Sequence, residues 1–233
     1  MLPQQILSVR PIGDTSSPYW TASSTDGVQL LLEPDESLLH VGYCRVSQVN
    51  PKAWDLPVTT TVVVTDRRLA FLTTRFDTGG GWSGFGVAGL AIAVTANAVS
   101  TRRAADRSAG KIAIGQIRHE WLTAITLRRV KALIGVTDTY IDLTYANAAG
   151  GRTIELWGRA VVSEDFARWL VNTVCVHRLA ILPQESSDAR ATLHHYKDGG
   201  PDPITIGKPS DLRWSIPGRT IELIDTVFAA VSN

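Results

Sequence analysis

The side chains able to do chemistry are few and far apart in this chain. His194 and His195 stand side by side, as metal ligands often do, but no Cys, Asp or Glu cluster lies at ligand spacing beside them, so a solvated loop is the expectation. His40, His119 and His177 are isolated on strand or helix faces, where a hydrogen-bonded structural role is expected. Asp35, Glu36, Asp142 and Glu155 are the carboxylates whose convergence would permit general acid–base work; their pattern places them in turns and at solvent-facing positions. No GxSxG elbow, Walker-type loop, HExxH or GxGxxG between strand and helix is present, and the glycine-rich run Gly79–Gly86 lacks the lysine a phosphate loop needs. The expectation is a non-enzyme with no cofactor and no metal.

Charge and cysteine content narrow the partners. A formal net charge of +1 gives no overall electrostatic case for nucleic acid. The seven tryptophans have no interleaved basic residues on one sheet, so they are expected to pack the core and its appendages rather than to stack bases. Cys44 and Cys175 lack CxxC spacing and are too few for a disulfide framework, and the N-terminus has no basic region followed by an apolar run. A cytoplasmic protein is expected, and the excess of Arg over Lys points to a GC-rich bacterial genome.

Most distinctive is a stretch of 24 residues without charge, from Thr78 to Thr101. Eight bases against Asp106 and Glu120 follow it between Arg102 and Lys131. As a helix, residues 82–99 would extend ~27 Å, just short of a bilayer's hydrocarbon core. Gly, Ala, Ser, Thr and Asn dominate it, which weakens a spanning reading, while small-xxx-small spacing through Gly89, Ala93 and Ala96 or Asn97, with Ala88, Ile92 and Ala96 alongside, favours close packing on the domain or on a second copy. A membrane-surface reading remains beside it: Trp82 and Phe85 would enter the interface and Arg102, Arg103 and Arg107 would meet anionic headgroups. The candidate contact residues are therefore Trp82, Phe85, Val87, Leu90, Ile92, Arg102, Arg103 and Arg107.

The elements that must carry these residues are mainly strands. Residues 1–27 read as an irregular N-terminal arm. Val28–Glu33 and Ser37–Val49 read as strands around the Pro34-Asp35-Glu36 turn. Alternation from Val58 to Val64, a break at Asp66-Arg67 and renewed alternation through Leu69, Phe71 and Thr73 predict a hairpin. Lys111–Gly115 and Ile117–Val130 read as two more strands, and Ile141–Tyr145 with Ile154–Leu156 as a second hairpin. Ser163 as cap, Glu164 and Asp165 in the first turn, and Phe166, Leu170 and Val174 at helical spacing predict an amphipathic helix over 163–180. Residues 181–233 read as a polar, Gly/Pro-rich tail ending in a short helix. Many short strands and one closing helix predict a small antiparallel barrel or two packed sheets, with an apolar helical insertion at 78–110.

The hairpin Thr61–Phe71, TVVVTDRRLAF, resembles that of bacterial pleckstrin-homology-like and GRAM-like domains. Leu31–Val46 looks like their opening strand region, Ile117–Ile125 matches a further element loosely, and the helix around Phe166 and Trp169 closes the order. The resemblance covers roughly residues 28–180. It implies a curved antiparallel barrel capped by the C-terminal helix, and for function a module of a superfold whose members bind phosphoinositides, peptides or partner proteins or have no known ligand. Arg45 and Lys52 are the only bases from Val28 to Val64, so no phosphoinositide motif carries over. The resulting expectation is a non-catalytic interaction module mediating self-association or protein docking. The alternative is a peripheral membrane protein binding anionic lipids at the inner membrane face through residues 82–107.

Overall fold

Alternating β-branched residues build long strands here. In the computed structural model the described residues are 7–12, 21–24, 27–50, 52–76, 109–131, 137–147, 150–158, 161–181, 186–199, 203–206 and 211–218. The strands are β1 (Leu7–Pro11), β2 (Thr21–Ser24), β3 (Gly27–Leu30), β4 (Leu38–Asn50), β5 (Lys52–Thr65), β6 (Arg68–Thr73), β7 (Lys111–Arg118), β8 (Leu122–Lys131), β9 (Thr137–Asn147), β10 (Gly150–Trp157), β11 (Ile204–Thr205) and β12 (Leu212–Ser215). The two helices are α1 (Glu164–Ile181) and α2 (Ser187–Lys197). Ten strands form one sheet in the order β1-β7-β6-β5-β4-β10-β9-β8-β12-β11, and β2 and β3 pair separately. Every pairing is antiparallel.

The chain is thus mainly β with an extended antiparallel sheet, and among the described residues the sheet does not close into a barrel. β7 and β8 are consecutive in sequence but are not paired. A 3-10 turn at His119–Trp121 separates them and interrupts what the sequence suggests is a strand from Ile117 to Val130. A single core gathers Val62, Phe71 and Ile117 from one end of the sheet with Ile125, Leu143 and Leu156 from the other, so the sheet wraps around a shared interior. Phe166, Leu170 and Val174 of α1 fill that interior at four-residue spacing. The Ser163 hydroxyl accepts from the Phe166 N–H at 3.1 Å, which caps the helix as the sequence suggests.

β6 is buried on both faces. Beyond the main core, Val63, Ala70, Leu72, Ile112 and Ile114 form a second cluster with Leu30 of β3 packed against it. The lead-in read as irregular therefore contributes structure: β1 pairs with β7 from Leu7↔Gly115 to Pro11↔Lys111, with its proline at the strand end, where a missing N–H is tolerated. The segment read as a polar tail also contributes, since Leu193 of α2 and Trp214 of β12 lie in the main core. Its apolar residues are too widely spaced among Gly, Pro and polar residues for periodicity to reveal them. The expected apolar insertion helix and the C-terminal helix near 221–231 lie outside the described residues.

Gly42 of β4 marks a close approach: an added Cβ would stand 2.3 Å from the Val161 Cγ2. Val161 is itself buried, so it has little room to withdraw. Gly42→Ala is expected to destabilise the fold by about 1–3 kcal/mol through overpacking. Urea unfolding should show this loss and its partial recovery in Gly42→Ala/Val161→Ala; an unchanged midpoint for the single variant would exclude the contact.

Candidate functional site

The TDRR turn of the β5–β6 hairpin is densely bonded, and each of its residues has a specific task. The Thr65 hydroxyl accepts from the Arg67 and Arg68 N–H groups at 3.1 and 3.0 Å and stands 2.6 Å from Glu36 Oε1, to which it donates. Asp66 ties down the start of β4: its N–H donates to the Ser37 carbonyl at 3.1 Å, and its Oδ1 accepts from the Ser37 N–H at 2.9 Å. Arg67 pairs with Glu33. Arg68, with no exposed surface, donates to Glu36 through Nε at 2.8 Å and Nη2 at 2.7 Å, to Gln116 Oε1 at 2.7 Å and to the Leu31 carbonyl at 2.8 Å. Burial alone would raise the Glu36 carboxyl pKa, but the bonds from Arg68 and Thr65 outweigh it and hold the group below the usual carboxylate range.

The network continues toward α1. Arg118 reaches Glu33 at 2.7 Å and Glu120 at 3.6 Å, and Glu120 is within 3.0 Å of the His177 Nε2. Arg178, fully buried on the core stripe of α1, donates to the carbonyls of Glu120 and Leu122 at 2.8 and 2.6 Å. His119 lies between these groups, with its Nε2 2.9 Å from the Thr65 carbonyl and its ring edge-on to His177. Its Nδ1 is buried and has no partner among the described residues.

This network fixes the position of β4, whose outer face is unusual. Leu39, Val41 and Tyr43 point outward and are 45%, 48% and 61% exposed. The inner face of the same stretch carries His40, Gly42 and Cys44. His40 packs on aromatics, with its ring 5.3 and 5.8 Å from those of Phe166 and Trp169, and its buried Nε2 has no hydrogen-bond partner among the described residues. The register places Val41 beside Val63, which faces Ala70, and Tyr43 beside Thr61, which faces Leu72. An apolar outer surface therefore runs from the sealed cluster on β5–β7 to an open column on β4. Farther along the sheet the outer face turns polar: Arg45 pairs with Asp55, and Arg128 reaches Asp142 at 2.6 Å and also pairs with Glu155.

Two of the candidate carboxylates do converge. Asp142 and Glu155 are cross-strand neighbours, but both accept from Arg128, whereas Glu36 is held by Arg68 and Asp35 sits in a tight turn with φ of 59°. Burial pushes the Glu155 carboxyl up, against the pull of Arg128. His194 and His195 are exposed in the last turn of α2. Trp82, Phe85, Val87, Leu90, Ile92, Arg102, Arg103 and Arg107 all lie outside the described residues. Among the described residues no helix is long and apolar enough to cross a membrane. No protein-family model matches the chain, and searches of the curated proteins and of the solved structures return no match.

The sequence reading missed the β4 column because β4 carries apolar residues on both sides of its period of two. The alternation of His40 and Gly42, poor core formers, with Leu39, Val41 and Tyr43 favours the opposite facing, so the sequence carries no local signal for this exposed row.

Stability should fall in acid. Burial holds the His119 pKa down at about 4, only partly offset by its bond to Thr65. An imidazole with a folded pKa below its ordinary value near 6.5 stabilises the fold fully above that value, and the contribution disappears as pH falls from 6.5 toward 4. Its loss is on the order of 3 kcal/mol. Glu36 and Glu120, both depressed, add to the loss below the ordinary carboxylate pKa. Urea midpoints measured from pH 7.5 to 4 should drop steeply, and His119→Gln should flatten the part between 6.5 and 4. Equal slopes for the two proteins would remove His119 as the cause.

Proposed function

We propose that the chain is a non-catalytic interaction module of pleckstrin-homology-like type, with the open apolar column of β4 as its contact surface for self-association or for docking a partner protein. The observation that carries this reading is the exposed row Leu39, Val41 and Tyr43 on a strand locked in place by the Arg68–Glu36 network. Large apolar side chains in a contiguous row, beside an already buried apolar cluster, favour a protein contact. Support for the fold type comes from seven strands in the order β7-β6-β5-β4-β10-β9-β8, two antiparallel halves joined through β4 and β10, followed by α1. That order, the TDRR hairpin and the closing helix agree with the resemblance to pleckstrin-homology-like domains.

Static light scattering over a concentration series tests self-association. The wild-type chain should show a mass increasing above the monomer's, and Val41→Asp/Tyr43→Ser should stay monomeric with an unchanged urea midpoint. A wild-type chain that remains monomeric throughout would defeat the self-association reading.

The alternative carried by the sequence is contact with anionic lipid through residues 82–107, where an uncharged stretch precedes Arg102, Arg103 and Arg107. It is expected to show as co-sedimentation with phosphatidylserine-containing vesicles that is lost at high salt and on deleting residues 80–101. Absence of binding to both anionic and neutral vesicles would dismiss it.

A further inference from the structure

Residues 211–218, Asp-Leu-Arg-Trp-Ser-Ile-Pro-Gly, join the sheet in the manner of a bound peptide. β12 lies antiparallel on β8, from Leu212↔Leu127 to Ser215↔Ala124, and the Ile216 N–H extends the ladder to the Thr123 carbonyl at 2.8 Å. Its side chains alternate. Trp214, 2% exposed, and Ile216 point into the main core, Leu212 packs partly against it, and Ser215 faces out.

Three elements frame the groove that receives them. β8 supplies the backbone edge. From α1, the Arg168 guanidinium lies 5.6 Å from the centre of the Trp214 ring, and Arg178 donates to the Pro217 carbonyl. From α2, Leu193 shares the core cluster with Trp214, and Tyr196 packs against the same cluster. At the upstream end, Asp211 Oδ1 accepts from the Arg129 N–H at 3.3 Å. Main-chain bonds to an edge give general affinity, and pockets at alternate side chains give selectivity, which is how strand addition recognises peptides.

The segment's main-chain attachment to the sheet is short. Its ladder on β8 covers four residues, against nine paired positions between β8 and β9, and its other neighbour, β11, has two residues. Short edge ladders open at lower free energy than central ones.

We propose that β8, α1 and α2 form a strand-addition groove for extended peptides of the pattern apolar-x-Trp-x-apolar, and that residues 211–218 occupy it as the chain's internal ligand. This extends the interaction-module reading, on which it rests, to a second surface distinct from the β4 column.

The test uses the full-length chain carrying Trp214→Ala and a fluorescein-labelled peptide of residues 209–219. Saturable binding measured by anisotropy is expected for the variant and should disappear when the peptide's tryptophan is replaced by alanine. Binding to the wild-type chain should be roughly a hundredfold weaker, because a tethered ligand at millimolar effective concentration competes for the groove. Amide protection in β4–β10 should be retained in the variant.

If the variant does not fold, a protease site inserted between Lys208 and Pro209 of the otherwise wild-type chain serves instead. After cleavage the resident segment should exchange for labelled peptide. A folded variant that binds no peptide, a cut chain that does not exchange, or a cut chain that unfolds when the segment leaves would each overturn the proposal and mark β12 as an ordinary structural strand. Light scattering on the β4 variants reports on the other surface, so the two readings can fail separately.

Discussion

The buried ion pair between Arg68 and Glu36 is the constraint around which the rest of the domain is organised. Neither side chain keeps any exposed surface, and two charges taken out of water are tolerable only when nearly every donor and acceptor is satisfied. Here Arg68 reaches Glu36 twice, Gln116 once and the Leu31 carbonyl once, while Glu36 also receives Thr65 and the Glu33 N–H. Removing one partner of such a pair typically costs 3–5 kcal/mol because the other is left buried and uncompensated. The pair joins the lead-in to β4, the β5–β6 turn and the end of β7 at one point, and so sets where β4 and β6 begin.

The column on β4 and the cap by α1 both depend on that point. Asp66 fixes Ser37, one residue before β4 starts, and the His119 N–H donates to the Arg67 carbonyl, which directs the chain into the 3-10 turn. From there Glu120 and Leu122 offer their carbonyls to Arg178. A single polar path thus links the hairpin turn to the helix across the apolar core. This accounts for an arginine and two histidines occupying positions that apolar residues would otherwise fill.

The local patterns were legible where period and turn chemistry agreed. The β5–β6 hairpin could be read from Val62, Val64, Leu69 and Phe71 flanking Asp66-Arg67, and α1 from Ser163, Phe166, Leu170 and Val174. What could not be read were long-range pairings. Leu7–Pro11 lies on β7, a hundred residues or more away in sequence, and Trp214 lies on β8. A four-residue strand flanked by Pro and Gly carries too few positions for alternation to stand out, so Leu212, Trp214 and Ile216 looked like residues of a tail. Nothing local to Arg68 in the sequence indicates that Glu36, Gln116 and Leu31 surround it. The residues singled out for contact, from Trp82 to Arg107, remain a sequence argument alone.

The register of β6 on β7 has a consequence for how this chain can change over time. Thr73 faces Ala113 at the end of the ladder, so the chain leaves the sheet and returns to it at one pair of neighbouring positions. Closing a loop between two such anchors costs little more as it lengthens, about 0.6 kcal/mol per doubling. The sheet therefore places almost no constraint on the length of what is joined between those anchors, while the TDRR turn is held to its partners residue by residue.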